Sequence, residues 1–135
     1  MFRVSNLEIP VSDLERAVDA HECIFGGGAE RVVVDVYNMA RVPTRGDGQG
    51  AGVTLTHGDV YIPSRTGSIA CSNVANIDAG MSRAAEPGAG TPHAKKEVAP
   101  GAWVARFEGS EGNRVASSQT SEGALSSTFS GDAFT

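Results

Sequence analysis

Apolar and polar residues alternate over the first segment of the chain and then change to a helical spacing. The alternation between residues 4 and 11 predicts a strand. Over residues 12–25 the apolar positions recur every three or four residues, which predicts an amphipathic helix. Ser12, with Glu15 three residues later, fits a capping box at the start of this helix. The three glycines that follow residue 25 fit its end.

Three further strands complete a first unit of strand, helix and three strands. The run Val32, Val33 and Val34 is β-branched, which disfavours a helix and favours a strand. We predict these strands over residues 30–36, 39–42 and 53–57, with a short connection at Tyr37 and Asn38. The glycine-rich segment between the second and third of them is expected to be a flexible loop.

The same order of elements returns later in the chain, as an internal repeat would. A shift of 63 residues, from Val11 to Val74, also places Leu14 on Ile77. We predict the second set of elements as a strand over 68–74, a helix over 77–86, a polar edge strand within 94–98, and strands over 103–107 and 114–118. The resulting modules span roughly residues 1–60 and 66–119, followed by a tail or loosely docked arm over 120–135.

Composition narrows the class of protein. The 135 residues carry 11 Lys+Arg against 16 Asp+Glu, a net charge of -5, which argues against nucleic acid or an anionic membrane as the main partner. No apolar run approaches the roughly 20 residues of a membrane span, and the first residues do not have the pattern of a signal peptide. Two cysteines are too few for a disulfide scaffold, so we expect a reducing cytoplasm.

Short motifs in both modules resemble one known family. The first is EIPVSDLERA, which runs from Glu8 to Ala17, and the second is GSEGN, from Gly109 to Asn113. Together with the segment NVANIDAGMSRA they make the chain similar to the vicinal oxygen chelate superfamily, which includes glyoxalase I, bleomycin-resistance proteins and extradiol dioxygenases. The likeness covers both modules.

This resemblance implies an α+β fold of paired βαβββ modules, in which the strands form an open, cup-like curved sheet with the helices outside. A cup of this kind is a concave site suited to a small molecule. The resemblance also implies a homodimer.

Metal-using members of the superfamily place ligands at four inward positions. In this sequence the resemblance puts those positions at Asn6, Val53, Ile69 and Ala116. None of these is His, Glu or Asp, whereas divalent metals such as Zn²⁺ usually take three or more such ligands. We therefore expect no metal cofactor. Glu8 and His57 are weak alternative ligands, with a solvated strand residue and an exposed loop histidine as the simpler interpretations.

The remaining cleft candidates follow from strand alternation, which puts residues two apart on one face. Glu8 shares the face of Asn6, and both Cys71 and Asn73 share that of Ile69. These five residues are therefore predicted to line the cleft. For Cys71, a buried and unreactive thiol is the competing interpretation.

Trp103, the single tryptophan, is a further cleft candidate because an aromatic ring can stack on a ligand. This requires that its face of the strand looks into the cup. In the alternative, Trp103 anchors the core of the second module and Arg106 reaches the cup instead.

The sequence predicts a metal-independent small-molecule-binding protein and leaves open whether it catalyses a reaction. No Gly-x-Ser-x-Gly elbow is present, so a serine hydrolase is not indicated. The alternatives are a metal-dependent lyase or dioxygenase of the same superfamily and a non-catalytic interaction protein. Neither the ligand nor a set of catalytic residues can be named from the sequence.

Overall fold

A computed structural model describes residues 4–43 and 51–120 of the chain. Within these ranges the chain forms two helices and nine strands. In chain order they are β1 (Asn6–Val11), α1 (Leu14–Phe25), β2 (Glu30–Val34), β3 (Tyr37–Val42), β4 (Gly52–His57), β5 (Ala70–Asn73), α2 (Ile77–Ala84), β6 (Gly90–Pro92), β7 (Lys96–Ala99), β8 (Ala102–Gly109) and β9 (Arg114–Thr120). The predicted tail beyond Thr120 and most of the predicted glycine-rich loop lie outside the described residues.

The strands form two separate sheets, one in each half of the chain. The first has the order β1-β4-β3-β2, with β1 parallel to β4 and the other pairs antiparallel. The second has the order β5-β9-β8-β6, with β5 parallel to β9 and β7 also paired to β8. Each sheet thus joins its first strand to its last, and the predicted α+β fold of paired modules is confirmed.

Each helix covers one face of its own sheet. In the first module Val18 of α1 packs with Val11, Ala40 and Leu55 from three strands, and all four are buried. Successive side chains of a strand point to opposite faces. The residues between these core positions therefore lie on the face that α1 leaves open.

The two helices begin in the same way, 63 residues apart. Asp13 is the N-cap of α1 and accepts a hydrogen bond from the backbone N–H of Arg16 at 3.0 Å. Asn76 is the N-cap of α2 and accepts one from Ala79 at 3.0 Å. The predicted shift between the modules is therefore confirmed at these helix starts.

The predicted capping box is wrong by one residue. Asp13, not Ser12, is the N-cap of α1, because the Asp13 side chain accepts the Arg16 N–H. The backbone N–H groups of Ser12 and Asp13 both donate to the Glu111 carboxylate, at 3.0 and 2.8 Å. Glu15 does not reach back to the cap and instead forms an ion pair with Arg31.

Two further local features differ from the sequence prediction. The connection between β2 and β3 lies at Asp35 and Val36 rather than at Tyr37 and Asn38, because Asp35 adopts a left-handed φ of 58° that ends the strand. In addition, β6 pairs with β8 although Gly and Pro are weak strand formers. An added Cβ on Gly90 would lie 2.4 Å from the backbone oxygen of Glu108, so only glycine allows this close approach.

The modules meet through their helices and through the turn before β9. Ile24 and Ala84, from α1 and α2, share a buried cluster with Phe107 of β8. Arg83 donates to the Ile24 carbonyl at 3.2 Å, and Asn113 of the turn donates to the Pro10 carbonyl at 2.7 Å. The strand ladders do not cross this boundary in the described ranges. Neither helix has the length and apolar character of a membrane span.

Candidate ligand-binding cup

The open face of the first sheet carries a cavity of about 400 Å³, which we call the first cup. Glu8 of β1 lies beside Thr54 of β4, which in turn lies beside Arg41 of β3. The lining residues are Asn6, Glu8, Val32, Val34, Met39, Arg41, Val42, Gly52, Val53 and Thr54. The first cup is therefore built from four adjacent strands of one module.

The threonine hydroxyl groups of β4 at and beneath the floor of the first cup already have hydrogen-bond partners within the protein. Thr54 and Thr56 are 7% and 0% exposed. Thr56 Oγ1 donates to the Ile9 carbonyl at 3.2 Å, and Thr54 Oγ1 donates to Asn6 Oδ1 at 3.3 Å. Buried hydroxyls that already have partners fix the shape of a site rather than supply a reactive group.

Charge and apolar surface surround this floor. Glu8 and Arg41 are exposed and lie two strands apart, roughly 10 Å by strand spacing. Val32 and Val34 of the edge strand β2 form an apolar wall beside the buried Met39. The first cup can thus accept a ligand with an apolar body and polar groups at its edge.

The second sheet has a corresponding open face, which we call the second cup. Cys71 and Asn73 of β5 pair with Ala116 and Ser118 of β9, so all four share one face. Arg106 of β8 pairs with Ala116 and faces the same way. Cys71 and Asn73 are exposed, which contradicts the buried-thiol interpretation of Cys71. Ile69 precedes β5 and is partly buried.

Trp103 lies on the opposite face of β8. It pairs with Gln119, whose side chain accepts a hydrogen bond from the Ile77 N–H at the start of α2. Lys95 Nζ lies 4.8 Å from the centroid of the Trp103 ring. This arrangement agrees with the alternative in which Trp103 packs on the helix side and Arg106 faces the cup.

The first and second cups do not face each other within one chain. The first cup is lined by residues of the first module alone, and Cys71 and Asn73 do not contribute to it. The modules meet through their helices, which lie on the other faces of the sheets. The predicted placement of Cys71 opposite Glu8 is therefore not made inside a single chain.

The described side chains that line the first cup do not form a set of ligands suited to a divalent metal ion. Val53, which was predicted to point inward, borders the first cup but packs against the α1 core, and Gly52 is the residue beside Asn6. His57 lies three residues after Thr54 and so faces away from Glu8, which means that these two cannot bind one ion. Over residues 4–43 and 51–120 no group of three or more His, Cys, Asp or Glu side chains is arranged to hold a metal.

Sequence reasoning missed most residues of the first cup, including Met39, Arg41 and Thr54. All three lie on strands that were predicted, but their face depends on the pairing of β1 with β4. Strand alternation would have identified them once that register was known. The same register would also have shown that His57 faces away from the first cup.

Comparison by sequence finds no matching family model and no matching curated protein. Comparison by structure finds solved structures that match this chain. A glyoxylase/bleomycin resistance protein/dioxygenase domain from Frankia sp. EAN1pec aligns with a TM-score of 0.66 and 18% identity over 90% of this chain and 99% of that one. The chain has the fold of glyoxylase/bleomycin resistance protein/dioxygenase domains.

Other solved structures with this fold differ in their described roles. The antibiotic-binding protein TnmS3 from Streptomyces sp. CB03234 aligns with a TM-score of 0.61 and 23% identity over 90% of this chain and 98% of that one. The fosfomycin resistance protein FosX from Listeria monocytogenes, crystallised with Mn(II), aligns with a TM-score of 0.62 and 13% identity over 91% and 94%. At these identities the likeness shows the fold, and the site must be argued from its own residues.

Proposed function

We propose that this protein binds a small organic molecule in its cup without a metal ion. The supporting observation is the composition of the first cup. Its cavity of about 400 Å³ has an apolar wall and two charged side chains, and Glu8 is the one metal-type ligand among its described lining residues. Cavities of this size suit drug-sized ligands. An open cavity also favours ligand binding over the interaction-protein alternative.

We also propose that the protein acts as a homodimer. Each cup is open, and the two cups of one chain are not set against each other. A second copy can place its second cup against the first cup, which would enclose a ligand more fully than either face alone. As part of the same proposal we place the protein in the cytoplasm, which is consistent with free thiols at Cys23 and Cys71.

The metal-dependent enzyme is the competing function. It needs ligands that converge on one point, and Glu8 and His57 lie on opposite faces of the sheet. Isothermal titration of the full chain with Mn²⁺, Ni²⁺ and Zn²⁺ tests the two functions. We expect no tight stoichiometric binding, and a one-to-one complex lost in Glu8→Gln would contradict the proposal.

Ligand binding in the first cup can be tested by blocking it. Val34 lines the cup, whereas the adjacent Val33 does not, and both are exposed. The Val34→Trp substitution should abolish the binding of small aromatic probes followed by backbone amide NMR shifts, and Val33→Trp should preserve it. Equal binding by the two variants would place the site elsewhere. Analytical ultracentrifugation would test the dimer.

A further inference from the structure

The second cup carries an excess of positive charge in a chain that is acidic overall. The chain has a net charge of -5. In the strand register Lys96 nevertheless pairs with Val104, Arg106 with Ala116, and Arg114 with Glu108. Paired residues lie on the same face of the sheet. These rows belong to one face, since their positions on β8 are two residues apart. Among the residues that the structure describes on these paired strands, three cationic side chains therefore share this face with one carboxylate.

The single carboxylate is already engaged. Glu108 forms an ion pair with Arg65, with 2.8 Å between Nε and Oε1. The ion pairs that the structure records between described residues do not include Arg106 or Lys96. Arg106 and Arg114 are both exposed, and one Arg114 nitrogen donates to the Gly67 carbonyl at 3.4 Å, which leaves its charge unpaired among the described residues. The second cup thus presents guanidinium groups that its own acidic side chain does not neutralise.

Arg106 and Arg114 are positioned to contact one group together. Arg106 pairs with Ala116, and Arg114 is two residues from Ala116 on the same strand. Diagonal neighbours of this kind have Cα atoms about 7–8 Å apart, within reach of two long side chains. The small side chain of Ala116 leaves space between Arg106 and Cys71 on the neighbouring strand. The buried Ser118 lies beyond it on the floor.

We propose that the second cup recognises a carboxylate group of the ligand through Arg106 and Arg114, over the small side chain of Ala116. This rests on the proposed function, in which the second cup of one copy closes over a ligand in the first cup of another, and it specifies the chemical class of that ligand. Guanidinium groups bind carboxylates through paired, charge-assisted hydrogen bonds, which an uncharged ligand of the same shape cannot accept as strongly. The acidic group is thereby selected by charge and by geometry together.

Two probes of matched shape test this inference, 1-naphthoate and its uncharged amide, 1-naphthamide. Each is titrated into the full chain at low ionic strength, where exposed charges are least screened, and binding is followed by backbone amide NMR shifts. We expect the carboxylate to bind about tenfold more tightly than the amide, with shifts at Arg106 and Ala116. Arg106→Gln should remove this preference, and Arg106→Lys, which keeps the charge, should retain part of it.

Arg31→Gln is the matched control, because Arg31 pairs with Glu15 of α1 and lies away from both cups. It removes the same charge and should leave the preference unchanged. The inference is overturned if both probes bind the cup equally, if Arg106→Gln keeps the preference, or if the carboxylate shifts only residues outside the cup. Equal binding leaves the proposed function standing, whereas failure of both probes to shift any cup residue would count against both.

Discussion

Arg16 on α1 and Glu111 in the turn before β9 form a two-pronged ion pair that joins the modules. Arg16 Nε lies 2.7 Å from Glu111 Oε2, and a second nitrogen donates to Oε1 at 2.9 Å. The same Oε1 accepts the backbone N–H groups of Ser12 and Asp13 at 3.0 and 2.8 Å. The Glu111 side chain is only 3% exposed. The two sequence motifs that carry the family resemblance therefore bind each other.

Neutralising Glu111 should destabilise the protein. Glu111→Gln keeps the size of the side chain but removes the charge of a carboxylate that accepts five hydrogen bonds, including one from Ser110. The free energy of unfolding should fall by about 1–3 kcal/mol, measured by urea denaturation. Glu15→Gln is the control, since it breaks the exposed pair with Arg31 and should cost far less. Equal losses in the two variants would show that the Glu111 contacts add nothing beyond a surface ion pair.

Acid should weaken the same contact. Burial raises the pKa of Glu111, but hydrogen bonds from Arg16, Asp13 and Ser110 more than offset this and lower the pKa below its ordinary value of 4.5. A carboxyl with a lowered pKa stabilises the fold fully above its ordinary pKa, and this contribution is lost as pH falls below that value. Thermal unfolding across that range should show a steeper loss in the wild type than in Glu111→Gln. Parallel curves would contradict this assignment.

His21 should produce a separate pH dependence nearer neutrality. Its ring lies 4.7 Å from that of Phe25, beside a small cavity between the modules. Burial lowers its pKa from 6.5, partly opposed by Glu22. The unfolded chain then binds a proton more readily, so stability present above pH 6.5 declines as pH falls through and below that value. His21→Leu should remove this decline in thermal unfolding, and its persistence would point to another group.

Two glycine-to-alanine substitutions in the second module should act in opposite directions. In Gly90→Ala the new Cβ would meet the Glu108 backbone oxygen at 2.4 Å, so β6 must move, at a cost of about 1–3 kcal/mol. In Gly80→Ala, inside α2, the Cβ meets nothing within 4 Å, and the helix should gain about 0.5–1 kcal/mol. Urea denaturation measures both. Stabilisation by Gly90→Ala would show that β6 does not need the close approach.

Much of the fold was predictable because its signals are local. The helix at 14–25 follows from apolar spacing, and the shift of 63 residues follows from comparing the two halves. The resemblance then supplied the paired-module architecture. The start of this helix was wrong by one residue, because Asp13 rather than Ser12 supplies the capping side chain. Ser and Asp are both common N-cap residues, so the local sequence did not distinguish them.

The candidate site was less predictable because it depends on register between distant strands. Asn6 and Glu8 were placed on the correct face from alternation alone. Val53 and His57 were not, because the pairing of β1 with β4 joins residues far apart in sequence and no local pattern specifies it. Two placements of Trp103 stayed open for a related reason: alternation shows which residues share a face, but not which face the helix covers.

The strand ladders that end at the module boundary have a mechanical consequence. Backbone hydrogen bonds make each sheet stiff, yet in the described ranges only side-chain contacts and helix packing connect one sheet to the other. A change in the angle between the halves would break those few contacts and leave both sheets intact. We therefore expect any relative motion of the two modules to disrupt the Glu111 contacts before it disrupts either strand ladder.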